Sequence, residues 1–238
     1  MPKLDDSQYD FLATIIHQLR TPLASVKWAL NLILAGEAGP LTDEQKKLLA
    51  RSVEGNDRVL GLINEILSAD RINSETIKYY FTPTDLIKLI KATINDMAET
   101  IARKGIKIEI IEPKKPLPLI PLDPSQITSV LQNLLENSVR YTGEKGKISI
   151  KIALETDVVK ITVKDNGIGI PSSEQKDIFE KFFRANNAIQ ADPHGYGLGL
   201  FIVKNILEKH SGRIWFESEE KKGTEFYFTL PLSRPETD

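Results

Sequence analysis

Leu12, Ile16, Leu19, Leu23, Val26, Leu30 and Ile33 recur at alternating spacings of four and three, a heptad seam along one face of a helix. Gly36, Gly39 and Pro40 stop that helix. Thr42-Asp43-Glu44-Gln45 opens a second one with a capping box, in which the Thr42 oxygen accepts an orphan N–H and Gln45 reaches back. Leu48, Leu49, Val59, Leu62, Ile63, Ile66 and Leu67 fall on one side of the second helix. Residues 5–73 therefore read as a helical hairpin. A hairpin cannot enclose its own core, so the seam predicts that hairpins from two chains join as a four-helix bundle, a homodimer. The competing arrangement is an intramolecular coiled-coil hairpin lying on the next domain.

From Ile77 the pattern changes. Tyr79-Tyr80-Phe81 and Thr82-Pro83 predict a short strand and the start of a helix, and a helix over 85–104 closes on Gly105. Strand patterns follow at 106–111, 147–153, 158–164, 213–218 and 224–230. Asp123-Pro124-Ser125-Gln126 supplies an N-cap, a proline at the first helical position and a glutamine three residues on, for a helix reaching about Tyr141. Another helix spans 198–209. Pro113 to Pro121 is proline-rich but too short to link domains. The predicted architecture is an all-α helical hairpin over residues 1–75, followed by an α/β sandwich over 76–238 with a largely antiparallel sheet.

Composition narrows the function classes. A chain of 238 residues suits two domains of ordinary size, and 41% hydrophobic with 27% charged residues is a globular balance. The net charge of −2 gives no reason to expect nucleic acid as a partner. The absence of cysteine excludes disulfides, thiolate metal sites and cysteine nucleophiles. No apolar run approaches the roughly 20 residues of a membrane span, and no signal peptide is visible. The expectation is a soluble, cytoplasmic chain without membrane contact of its own, any sensor or membrane region belonging to a longer protein.

Five stretches carry candidate chemistry. His17 lies in Phe11-Leu12-Ala13-Thr14-Ile15-Ile16-His17-Gln18-Leu19-Arg20-Thr21-Pro22-Leu23, where the seam turns Ile16 and Leu19 inward and His17, Gln18 and Thr21 outward. Pro22 inside a helix costs about 3 kcal/mol and frees a carbonyl one turn back. A neutral imidazole is a competent nucleophile at pH 7, although a lone surface histidine is ordinarily without function. In Gln132-Asn133-Leu134-Leu135-Glu136-Asn137-Ser138-Val139-Arg140-Tyr141, Asn133, Asn137 and Arg140 share a helix face. Asparagine is a poor helix former, which suggests polar work over a merely solvated face. Asp165-Asn166-Gly167-Ile168-Gly169-Ile170 ends a strand, where an ordinary turn is the competing reading. Ile178-Phe179-Glu180-Lys181-Phe182-Phe183-Arg184 brings three aromatics together, as a core also would. Gly195-Tyr196-Gly197-Leu198-Gly199-Leu200 leads into a helix and suits a phosphate cradle. A dinucleotide-binding fingerprint does not fit, because no parallel strand–turn–helix unit surrounds it and the third glycine comes too early. The polar segment 171–194 is long for a connection and reads as a lid. His194 and His210 lack metal-ligand company.

Together these stretches resemble sensor histidine kinases of two-component systems. His-Gln-Leu-Arg-Thr-Pro-Leu is similar to the phosphoacceptor box of the HisKA type. The other four follow the order found in the ATPase domains of histidine kinases, gyrase-like topoisomerases and Hsp90 chaperones. The resemblance covers about residues 5–232 and implies ATP-dependent phosphorylation of His17, then transfer to an aspartate of a response regulator receiver domain. It implies ATP and Mg²⁺, with Asn137 giving an oxygen to the metal, Arg140 meeting phosphate and Tyr141 near the adenine. By the same resemblance Asp165 binds the exocyclic amine of adenine, and Gly167 and Gly169 let the backbone approach the base. Lys181 and Arg184 stand near the phosphates, with Gly195, Gly197, Leu198 and Gly199 forming the cradle. Asn133 stands where ATP-hydrolysing relatives usually carry a glutamate, which argues for transfer over hydrolysis. Thr21 matches the position that helps orient water when the regulator is dephosphorylated, and Ser25, Trp28 and Ala29 lie where the regulator docks. One departure is Gln18, where an acidic residue is usual. Slower autophosphorylation is expected from it, and it keeps two alternatives open: a phosphatase-dominant enzyme and a weakly catalytic nucleotide-binding scaffold.

Overall fold

In the computed structural model the described residues are 6–73, 79–193 and 195–233, with side chains over 18–63, 79–193 and 195–233. The chain divides into two compact units, Met1–Glu75 and Thr76–Asp238. Among the described residues no helix is long and apolar enough to cross a membrane.

The first unit is a hairpin of α1 (Asp6–Leu34) and α2 (Asp43–Asn73). The turn uses Gly36 and Gly39 at φ 86° and 110°, where a side chain would be strained. The capping box closes both ways: Thr42 N–H donates to Gln45 Oε1 at 2.9 Å, and Gln45 N–H donates to Thr42 Oγ1 at 3.2 Å. Across the hairpin Asn56 is buried and donates from Nδ2 to the Leu23 carbonyl at 3.0 Å, and Lys27 pairs with Asp57 at 2.7 Å. Two helices cover only the line between them. Leu19, Val26, Leu48 and Val59 stay 44–60% exposed in the single chain, so the inward face of the seam is open here. Ile16, Ile66 and Leu67 have side chains outside the described residues.

In the second unit β1 (Thr82–Thr84) pairs antiparallel with β3 (Ile120–Leu122), Pro83 standing opposite Pro121. The strand lies three residues later than the expected Tyr79–Phe81 because it is set by pairing with Ile120–Leu122, which no local pattern announces. Both prolines lack an N–H, so the ladder is confined to a two-stranded sheet of its own. The helix expected over 85–104 is two helices, α3 (Leu86–Asp96) and α4 (Ala98–Lys104), broken at Met97. Thr93, Asn95 and Asp96 are weak helix formers, and the Thr93 hydroxyl donates back to Leu89 at 2.9 Å, an alternative to regular helix. Gly105 closes α4 at φ 64°.

The main sheet has the order β2 (Lys107–Ile111), β4 (Lys147–Leu154), β5 (Val158–Asp165), β7 (Gly223–Pro231) and β6 (Arg213–Glu219). Only the β2–β4 pair is parallel. Alternation places Ile148, Ile150, Val159, Ile161, Phe226 and Phe228 on the covered face. Against it lie α5 (Pro124–Tyr141) and α7 (Gly199–Lys209), whose Leu131, Leu134, Val203 and Ile206 are fully or nearly fully buried. The opposite face is mostly polar and carries an aromatic stack: Trp215 lies on Tyr227 with ring centroids 5.4 Å apart, and the Lys160 ammonium sits over both rings.

One buried histidine ties the two helices together. His210 caps α7, with Nδ1 bonded to the Ile206 carbonyl at 2.8 Å and Nε2 accepting the Asp123 N–H at 3.1 Å. Asp123 in turn caps α5, its Oδ1 accepting the N–H groups of Ser125 and Gln126 at 3.0 and 3.2 Å. Tyr79 and Phe81 pack on the imidazole, with centroids 5.5 and 4.9 Å away. Burial pushes the His210 pKa down.

Candidate active site

In the second unit the face of α5 meets the glycine segment at the start of α7. Asn133 donates from Nδ2 to Ser129 O at 2.8 Å, and a methyl on Gly199 would stand 2.6 Å from Asn133 Oδ1. Glycine at 199, the first residue of α7, therefore lets the helix N-terminus approach that amide, with its unpaired N–H groups beside it. Asn137 follows one turn later, half-buried. Arg140, in the last turn of α5, pairs through Nε with Asp192 Oδ2 at 3.3 Å. Gly195 touches both arginines: a methyl there would lie 3.2 Å from Arg140 Nη1 and 3.1 Å from Arg184 Cζ. Leu198 is fully buried, so its contribution to a cradle is backbone only.

Asp165 ends β5 and is 7% exposed. Its Oδ1 accepts N–H groups from Gly167 at 2.8 Å and Thr224 at 3.2 Å. Burial pushes its pKa up, and the two N–H donors only partly offset that. A side chain at Gly167 would strike the Tyr141 carbonyl at 2.5 Å, and the Ile168 N–H donates to that carbonyl at 3.1 Å. Tyr141, half-buried, thus borders the Asp165 loop through its backbone.

The segment 171–198 carries a short 3₁₀ turn at Gln175–Asp177 and α6 (Asn186–Ala191). Asn187 donates from Nδ2 to the Gly169 carbonyl at 2.8 Å, and Glu174 accepts both the backbone and side-chain N–H of Asn186. Arg184 donates to the carbonyls of Gly195 at 2.9 Å, Ala188 at 3.1 Å and Asp192. Lys181 lies 4.9 Å over the Phe201 ring. Of the three aromatics, Phe179 packs edge-on against Phe216, while Phe182 is 63% exposed at φ 64°. Its N–H donates to Gly197 O at 2.9 Å, and Gly197, at φ 73°, admits no side chain because Phe183 O would be 2.6 Å away. No group of three or more His, Cys, Asp or Glu that could hold a metal occurs among the described residues. His194 lies outside them.

The structure thus gathers Asn133, Asn137, Arg140, Tyr141, Asp165, Gly167, Gly169, Arg184, Gly195, Gly197 and Gly199 along the C-terminal half of α5 and the segments bordering it. Sequence reasoning missed Thr224, Asn187 and Asp192. Thr224 meets Asp165 through strand pairing and has no local signal; Asn186-Asn187 marks only a polar segment.

In the first unit His17 lies on the α1 backbone, its side chain outside the described residues. Gln18, Thr21, Ser25 and Ala29 are exposed, and Trp28 is 66% exposed. Arg20, Thr21, Ala24, Ser25 and Trp28 line a shallow groove of about 410 Å³. Around Pro22 the Ser25 hydroxyl donates to the Thr21 carbonyl at 3.1 Å.

A helical hairpin followed in sequence by a mixed sheet under two helices, with a glycine-rich helix N-terminus facing the asparagine-bearing side of the other helix, defines a two-domain protein with a candidate phosphate site. Residues 122–234 match the Histidine kinase-, DNA gyrase B-, and HSP90-like ATPase family, and residues 7–75 match the His Kinase A (phospho-acceptor) domain. The sensor histidine kinase WalK of Bacillus subtilis (strain 168) is 31% identical over 99% of this chain and 38% of its own length. Full-length ShkA in complex with AMPPNP superposes with a TM-score of 0.79 at 29% identity, over 95% of this chain and 46% of that one. The catalytic domain of histidine kinase ThkA is 31% identical with a TM-score of 0.55, over 64% of this chain and 96% of that one. The chain belongs to the sensor histidine kinases of two-component systems. It spans 30–61% of the length of the first curated relatives it matches.

Proposed function

We propose that this chain binds ATP in residues 76–238, phosphorylates His17 in residues 1–75 and passes the phosphoryl group to an aspartate of a response regulator. The observation that carries the reading is the approach of Asn133, Arg140 and Arg184 to Gly195–Gly199 at the N-terminus of α7. Backbone N–H groups and two guanidiniums there suit a polyphosphate. In the transfer a His17 ring nitrogen forms the new P–N bond, the P–O bond to ADP breaks, and the imidazole proton passes to solvent. Asn133 is an amide in place of a general base, so water is not activated beside it and histidine is the favoured acceptor.

Asp165 and the Gly167–Gly169 backbone take the adenine end, with Tyr141 bordering it; Arg140, Lys181, Arg184 and the segment Gly195, Gly197, Leu198, Gly199 take the phosphates. Asn137 would hold Mg²⁺ through its side-chain oxygen. A single half-buried amide fits a metal that arrives with the nucleotide and takes its other ligands from phosphates and water. When bound, Mg²⁺ neutralises charge on the phosphates.

The open seam at Leu19, Val26, Leu48 and Val59 supports a homodimer through a four-helix bundle. The groove that begins one turn along α1 from His17 supports docking of the regulator's receiver domain at Ser25, Trp28 and Ala29, Trp28 being its aromatic anchor. Exposed Gln18 and Thr21 near that groove support a second capacity, dephosphorylation of the regulator. The need for ATP supports a cytoplasmic location for the chain.

The test is incubation with Mg²⁺ and γ-labelled ATP beside His17→Ala. Acid-labile, alkali-stable label is expected on the parent and absent from the variant. Equal label on both would remove His17 from the reading.

A further inference from the structure

Both guanidiniums of the nucleotide site are held by one stretch of the lid. Arg140 Nε lies 3.3 Å from Asp192 Oδ2, the side chains being 38% and 24% exposed. Arg184 holds the same stretch by its backbone, donating to the carbonyls of Ala188, Asp192 and Gly195. The two cations converge on Gly195, the start of the glycine segment that leads into α7. Asp192 thus sets a carboxylate among donors that suit an anion, and the pair neutralises part of the charge Arg140 would offer to phosphate.

We propose that Asp192 is an internal competitor of phosphate, a positioning residue that holds Arg140 to the lid and thereby sets how strongly the site takes the charged end of a nucleotide. The inference rests on the reading of residues 76–238 as the ATP-binding domain. A half-exposed ion pair is weak enough to exchange. A polyphosphate brings more charge and more acceptor oxygens than one carboxylate, so it wins the guanidinium. Exchange then frees the C-terminal end of α6, which is how occupancy at the phosphates reaches the lid. The adenine end is held by other groups: Asp165 accepts the Gly167 and Thr224 N–H groups.

Isothermal titration of the whole chain separates the two ends of the ligand. The probes are a non-hydrolysable ATP analogue with Mg²⁺, and adenosine. Asp192→Asn keeps the size of the side chain and removes its charge. It is expected to tighten the analogue about three- to tenfold and leave adenosine unchanged. Asp192→Glu, which restores the charge, is expected to return the analogue towards the parent value. Arg140→Gln should weaken the analogue and, with Asp192→Asn added, show no further gain. Equal tightening of adenosine overturns the inference, because it reports a loosened lid instead of a freed cation. No tightening of the analogue also overturns it, and if Arg140→Gln still weakens the analogue the ATP-binding reading stands alone. A parent chain that does not bind the analogue overturns both.

Discussion

Gly197 and Phe182 illustrate how far single residues are constrained here. Phe182 adopts φ 64° and leaves its ring 63% exposed, while its N–H is taken by Gly197 O. Gly197 sits at φ 73° with Phe183 O where a Cβ would project. Two left-handed residues interlocked in this way join the aromatic stretch within the lid to the glycine segment after it. Gly197→Ala is expected to destabilise the second unit by about 2 kcal/mol or more, combining left-handed strain with a backbone clash. A urea melt of the variant checks it; an unchanged midpoint would mean that the lock is loose. The need for glycine at 197 and 199 is legible as a cluster in the sequence. Which carbonyl or amide each one faces is not, because Phe183 and Asn133 reach them from other parts of the chain.

At the scale of elements, the hairpin was legible because its signals are local: a heptad seam, a glycine-proline stop and a reciprocal capping box. The same holds for α5, with Asp123 at its cap and Pro124 at its first position. What escaped depends on partners distant in sequence. β3 is three residues long and exists through its pairing with β1, and Thr224 reaches Asp165 because β7 lies beside β5. The break at Met97 was legible in principle, since Thr93, Asn95 and Asp96 weaken the helix there. Asn56 makes a different point. A buried amide between two helices specifies register at some cost in stability, and this one holds α1 one residue beyond Pro22. Asn56→Leu is therefore expected to leave the melting temperature of the hairpin unchanged or raised. Analytical ultracentrifugation should find mixed assemblies where the parent gives one. A single species of parental size would remove the register role.

The whole second unit hangs on the joint between α5 and α7, and that joint titrates. His210 is buried neutral, facing Asp123, Tyr79 and Phe81. Its pKa is lowered by burial, with the Ile206 carbonyl and the Asp123 charge opposing. In the window between that lowered value and about 6.5 the unfolded chain binds a proton that the folded chain does not, so stability rises with pH. The contribution is complete above about 6.5 and is lost as pH falls through the folded value. Asp123 adds in the same direction further into acid. Burial alone would raise its pKa, but hydrogen bonds from Ser125, Tyr80 and Gln126 bring it below the usual value. Thermal melts between pH 5 and 7 should show this decline, and His210→Gln should flatten it. Parallel profiles for parent and variant would place the titration elsewhere.

The chain has two tryptophans, and each belongs to a different unit. Trp28 stands in water on α1, whereas Trp215 is pressed against Tyr227 beneath a lysine ammonium on the outer face of the sheet. Their emission should differ in colour and in quenching by iodide, and Tyr227 is near enough to pass excitation to Trp215. Replacing either indole with phenylalanine leaves an intrinsic fluorophore for the other unit, so the hairpin and the ATPase domain can be watched separately in one undivided molecule without an added dye.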